Sequence, residues 1–161
     1  MNMKVLKTVA VLAAIVVSAG CSRQTVGVDE YLIKGVVRNI PDSTVISLMR
    51  SDGRLAVRVA QDTVIGGRFE FRDTISGGAA QFGLCSFGKG FPNNMLPVWV
   101  KPGVKVTVTG DDNLLLTWRV KSRLPEQKTE NDFLAVQFPE KRESQVYAVE
   151  EADMLRELRS L

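Results

Sequence analysis

Histidine is absent from the 161 residues, and cysteine occurs only at Cys21 and Cys85. The missing imidazole removes the commonest metal ligand and the side chain most used for proton transfer near neutral pH. Two cysteines so far apart form no Cys-x-x-Cys pair, which leaves no dithiol redox motif. Aromatic residues make up 7% of the chain, with two Trp and two Tyr, so a folded core claims most of them. No run of Lys and Arg interleaved with aromatics appears, and nucleic acid is not an expected partner. The longest-looking apolar stretch, Val9 to Val17, is nine residues, whereas a membrane-spanning helix needs about 20.

That short stretch has the form of a signal h-region. Lys4 and Lys7 precede it, no acid occurs before Asp29, and Ser18-Ala19-Gly20 leads into Cys21. The arrangement resembles the lipobox of bacterial lipoproteins, in which the cysteine is acylated and becomes the new N-terminus. It departs from the usual pattern at Ser18, where an aliphatic residue is normal. An ordinary cleaved signal and a retained anchor are the competing readings. On the lipoprotein reading, residues 1–20 are the signal peptide, Cys21 is the lipidation site and 21–29 a polar tether. The formal charge of +3 then falls near +1, because the signal holds two bases and no acids, so the basic pI carries no functional message.

Residues 30–122 read as a β domain. Segments rich in Val, Ile, Phe and Tyr, including "YLIKGVVR", "TVISLMR", "LAVRVAQDTV" and "VKVTVTG", are divided by turn clusters. "RFEFRDTI" alternates, with Phe69 and Phe71 on one face and Arg68, Glu70 and Arg72 on the other. Lys101-Pro102-Gly103 suits a type II turn. "LLLTWRVKS" is the last strand candidate. Seven to eight short strands predict a mainly β fold, an antiparallel sandwich or partly open barrel. Residues 123–161 are expected to form a linker and, from about Glu140, an amphipathic helical tail with Ala148, Ala152, Leu155, Leu158 and Leu161 at spacings of three and four. Asp153 and Arg156 are placed to pair across one turn.

Few constellations carry chemistry. Gly83 to Lys89, "GLCSFGK", matches the start of a phosphate loop, but Gly90 stands where Ser or Thr should hold magnesium and no helix follows. Asp29-Glu30 and Glu150-Glu151 are neighbours whose side chains point apart on a strand or helix. Asp111-Asp112 in "TGDDN" reads as a turn bonding its own backbone, with a calcium cluster as the alternative. A serine nucleophile lacks a histidine base, leaving a serine–lysine arrangement as the remaining route. Cys85 reads as an inert core thiol rather than a reactive one. Trp99 and Trp118 read as core packing, with a sugar-stacking platform as the alternative. No catalytic, metal-binding or cofactor-binding residue emerges.

Four segments in order, "YLIKGVVRNIPDSTVISLMRSDGR", "DTVIGGRFEFRDTI", "LPVWVKPGVKVTVTGDD" and "TWRVKSRLPEQKTENDF", resemble the N-terminal β domain, of unknown function, of many Bacteroidetes envelope lipoproteins. The resemblance covers roughly residues 30–138. In that family the domain usually precedes a thioredoxin-like, TlpA/ResA-type thiol–disulfide oxidoreductase domain, joined by a helical linker. The family's Trp-Cys-x-x-Cys motif is missing here, so its redox activity transfers to no residue of this chain. The resemblance implies a non-enzymatic, lipid-anchored module of the cell envelope, accessory to or truncated from such an oxidoreductase. Its expected partners are the membrane, through the N-terminal lipid, and a thioredoxin-like or other envelope protein. The absence of acidic residues after Cys21 favours the periplasmic face. The alternative function is an envelope lipoprotein that binds a glycan or peptide on a sandwich face or through the "GFPNN" loop.

Overall fold

The computed structural model describes residues 25–51, 53 and 55–161. Cys21 and the expected signal peptide lie outside the described residues, as does Asp52 of the turn after the second strand. Among the described residues eight strands form: β1 (Glu30–Val37), β2 (Val45–Ser51), β3 (Ala56–Thr63), β4 (Arg68–Thr74), β5 (Ala80–Cys85), β6 (Leu96–Val100), β7 (Val104–Gly110) and β8 (Arg119–Lys121). They build two four-stranded sheets, ordered β4-β1-β7-β8 and β3-β2-β5-β6. The sheets do not close into a barrel, so the sandwich alternative holds.

One pairing departs from the antiparallel expectation. β1 and β7 run parallel, Ile33 opposite Val106 and Gly35 opposite Val108. A parallel pair needs a long crossover, and the whole β2–β6 block supplies it. The β3–β4 hairpin crosses between sheets at Gly66-Gly67, both at positive φ (56° and 69°), the geometry of a two-residue type I′ turn. Gly103 at φ 72° completes the turn after β6, with the Val104 amide donating to the Lys101 carbonyl. The end of the tether is fastened too: the Ile75 amide donates to Asp29 O at 2.8 Å, and Arg72 donates to Glu30 at 2.7 Å.

Alternation builds the core. Phe69 and Phe71 point inward from β4, and Val104, Val106 and Val108 from β7. The second sheet answers with a cross-strand row, Leu48 opposite Leu84 opposite Leu96, all fully buried. Each such aliphatic side chain contributes about 1.5–3 kcal/mol on burial. Two glycines are required by close approach. The Phe69 ring lies over Gly35, where a Cβ would sit 2.0 Å from it, and the Trp118 indole lies over Gly110, 2.4 Å from a Cβ. The two rings stand 6.2 Å apart, forming one aromatic row across the first sheet.

The segment "LLLTWRVKS" is not one strand. Leu115–Thr117 form a 3-10 turn before the short β8. A strand would turn alternate leucines to opposite faces; the turn lets Leu114, Leu115 and Leu116 all bury. The expected linker is also ordered differently: α1 (Pro125–Gln137) begins with Pro at the first turn, the position proline tolerates best, and α2 (Lys141–Arg159) follows. Its inward positions are Gln145 and Ala152, while Leu155, Leu158 and Leu161 face solvent. Ala152 docks as the apolar pattern predicts, while its companion on that surface is the polar Gln145, which the hydrophobic pattern alone did not disclose. Asp153 and Arg156 do pair.

Both helices dock on the β domain. The Gln127 Oε1 accepts from the Trp99 amide on edge strand β6 at 2.8 Å. Gln127 Nε2 donates to Asn131 Oδ1, and Asn131 Nδ2 donates to Val120 O on edge strand β8 at 2.9 Å. Two side-chain amides one helical turn apart thus join the edges of both sheets. Gln145 of α2 accepts from the Leu116 amide at 3.0 Å. Among the described residues no helix is long and apolar enough to cross a membrane.

Candidate ligand groove on the second sheet

The outer face of the second sheet is shaped by its register. On β2, Ile46 and Leu48 point into the core, so Ser47 and Met49 point out. Ser47 stands opposite Cys85, and Met49 opposite Gly83, which in turn faces Pro97. On the β3 side Ser47 meets Gln61, and a β-bulge between Leu48 and Met49 skips Val59 and sets Arg58 opposite Met49. Bulges re-aim side chains in this way. Here the bulge delivers a guanidinium to the outer face.

Over this face folds the loop 86–95. Phe91 anchors it in the core, and Gly90 turns it at φ 82°. Helix α2 and Asn113 hold it from behind. The Gly90 amide donates to both Asp153 oxygens, at 3.0 and 3.2 Å, and Asn113 donates to the Gly90 carbonyl. Arg156 pairs with Asp153 and donates to Phe91 O at 2.8 Å. The Gly90 hydrogen bond, with Arg156 and Lys89 nearby, holds the Asp153 carboxyl below the usual carboxylate range.

Between loop and sheet lie three cavities that share walls. The first, about 480 Å³, holds the cations: Ser43, Ser47, Gln61 and Ser86 line it with Arg58 and Lys89, and no Asp or Glu among the described residues does. Arg58 sits 5.4 Å over the Phe87 ring, a favourable cation–π distance. The second, about 280 Å³, shares Ser86 and Phe87 and is mainly apolar, walled by Met49, Met95 and Pro92. The third, about 160 Å³, continues past Met49 and Met95 to Gln81 and Pro97. Together they form one groove with a cationic end and a methionine-lined body. Thioether side chains adapt to varied apolar shapes.

Two polar side chains sit in its walls. Ser47 is 1% exposed, and its hydroxyl makes no side-chain hydrogen bond among the described residues. Asn94 Oδ1, in the apolar section, is buried with no donor. Cys85 is buried at the floor, and burial pushes its thiol up, which disfavours the nucleophilic thiolate.

The sequence-derived candidates divide accordingly. "GLCSFGK" runs from strand β5 into the loop, and the Gly90 amide beyond it is occupied by the Asp153 carboxylate. The same stretch holds a Ser-x-x-Lys spacing, Ser86 to Lys89, that sequence reading passed over. It lies in a loop rather than on one helical turn; Ser86 Oγ accepts from the Gly88 amide at 3.4 Å, and no hydrogen bond joins it to Lys89. "GFPNN" does border the groove. Asp111 pairs with Arg38, while Asp112 pairs with Arg142 and accepts from the Leu114 amide at 3.0 Å, as expected of an Asx turn. Trp118 is core, its Nε1 donating to Asp112 O at 2.7 Å. Trp99 is half-buried, donating to Glu130 at 3.1 Å beneath α1. Glu150 and Glu151 are exposed. Ser47, Met49, Arg58 and Met95 went unnoticed, because "TVISLMR" is apolar on both faces and the bulge leaves no mark in sequence.

No family model, no curated protein and no solved structure matches the chain. The chemistry of the groove rests on its own geometry.

Proposed function

We propose that this chain is a non-catalytic, lipid-anchored binding module of the cell envelope, and that the groove on its second sheet holds an extended glycan or peptide. The observation that carries the reading is the continuity of the groove: three cavities that share lining residues, with an adaptable apolar floor and polar side chains, Ser47 and Asn94, in the walls. Of the chemistries open to such a surface, binding needs no proton shuttle. The membrane tether at Cys21 is supported by the lipobox-like sequence around it.

Methionine methyl NMR on the full chain tests the groove. On adding fractionated periplasmic extract, the Met49 and Met95 methyl signals are expected to shift while Met154, on α2, stays in place. Unmoved Met49 and Met95 signals across all fractions would overturn the reading. The anchor has its own test: Cys21→Ser is expected to abolish incorporation of labelled palmitate and to move the protein out of the membrane fraction.

A second reading, an accessory to a thioredoxin-like oxidoreductase, is favoured by the exposed apolar residues Tyr147, Met154 and Leu158 on α2. Recovery of a thioredoxin-fold protein by the wild type, lost with Leu158→Glu, would support it.

A further inference from the structure

We propose, resting on the groove reading above, that the occupant is the C-terminal end of an extended peptide: its carboxylate at Arg58 and Lys89, its apolar side chains over Met49 and Met95. Three observations converge. The cationic end carries Arg58 and Lys89 and no acid among its lining residues, and neither cation forms an ion pair among the described residues. Lys89 does lie in the field of Asp153, but that carboxylate is already engaged by Arg156 and the Gly90 amide. Arg58 donates to Gln61 Oε1 at 3.4 Å and lies over Phe87, but among the described residues neither cation has an anionic partner; such groups favour an anion, and a planar guanidinium prefers a carboxylate or similar fork.

The second observation is the change of character along the groove. Past Phe87 the walls become Met49, Met95 and Pro92, so the ligand joins an anionic head to an apolar body. The third decides which amphiphile. Asn94 Oδ1, within the apolar section, has no donor among the described residues and accepts from an N–H or O–H group of a ligand. A fatty acid has none along its chain, and a neutral glycan lacks both the charge and the apolar side chains. A peptide supplies a backbone N–H next to each apolar side chain, and its terminal carboxylate lies one residue further on. Ser47 can donate to that carboxylate.

The probe is a library of N-acetylated hexapeptides, randomised at every position and made once as the free acid and once as the C-terminal amide. The full-length chain in detergent micelles is titrated with each, and with a mixture of neutral oligosaccharides, following the Met49 and Met95 methyl signals. The free acids are expected to bind at least tenfold more tightly than the amides, and Arg58→Gln or Lys89→Gln to erase that difference. Both positions are exposed, and Arg119→Gln on β8 serves as the charge-matched control with unchanged binding. Equal binding of acids and amides would overturn the carboxylate proposal while leaving a peptide groove standing. Oligosaccharide binding without peptide binding would overturn it and leave the groove reading intact. No response at Met49 or Met95 to any of the three would overturn both.

Discussion

The sandwich has two open sides, and they are closed by different means. On the β3–β4 side the chain itself turns the corner at Gly66-Gly67, and one side chain reaches across: Asp62 on β3 accepts from the Glu70 amide on β4 at 2.7 Å. On the β6–β8 side no hairpin is available, since β6 continues into β7 through Pro102-Gly103. There a separate helix supplies the Gln127–Asn131 pair to both edges. A connection made locally needs one supporting hydrogen bond; a connection made by a distant segment needs several. The neutral amides are well suited to the second task, because Gln127 is 1% exposed and an unpaired charge at that depth would be costly.

The largest effect is expected where the helix does the joining. Gln127→Leu keeps the volume but orphans the Trp99 amide and the Asn131 side chain. With about 1–3 kcal/mol for each buried group left unpaired, urea unfolding should show a loss of about 2–4 kcal/mol. A loss under about 0.5 kcal/mol would mean the helix contributes little to closure. Next comes the aromatic row shared by both sides. Gly35→Ala pushes a methyl into the Phe69 ring and should cost about 1–3 kcal/mol, as overpacked cores do, with Gly110→Ala acting similarly against Trp118. On the hairpin side Asp62→Ala should cost about 1 kcal/mol, because the turn holds the strands without it. Equal losses for Asp62→Ala and Gln127→Leu would break the contrast between the two closures.

The smallest effect is one of pH and separates α2 from α1. The Asp153 carboxyl is held below its ordinary range by the Gly90 amide, with Arg156 and Lys89 adding to the effect. A depressed carboxyl stabilises the folded state above its unfolded pKa and loses that contribution as pH falls through the folded value. Acidification below the usual carboxylate range should therefore shift the Gly90 amide resonance and loosen the loop 86–95. The Gln127 contacts should not respond over the same interval.

Much of this architecture was legible in the residues. Alternation located β4 and β7, composition located β1, and Pro102-Gly103 and Gly66-Gly67 located two turns, because each depends on neighbours in sequence. α1 falls where a linker was expected, because its docking depends on Gln127 and Asn131, and amides give no hydrophobic signature. The parallel β1–β7 pair was hidden for a related reason: nothing in either strand records the direction of its partner. The groove was least legible. Its floor comes from the outward residues of apolar strands, and its cation arrives through a bulge that only the register of β2 and β3 reveals.

The docking of α1 bears on how copies of this chain avoid one another. An edge strand with open backbone groups is a template for a second sheet, and β6 is such a strand until Gln127 reaches the Trp99 amide. Until α1 docks, that edge is bare. Refolding should accordingly lose yield as concentration rises, and shortening the chain before Pro125 should make that loss permanent through edge-to-edge association. The helix thus covers one edge of the sandwich as well as fastening it.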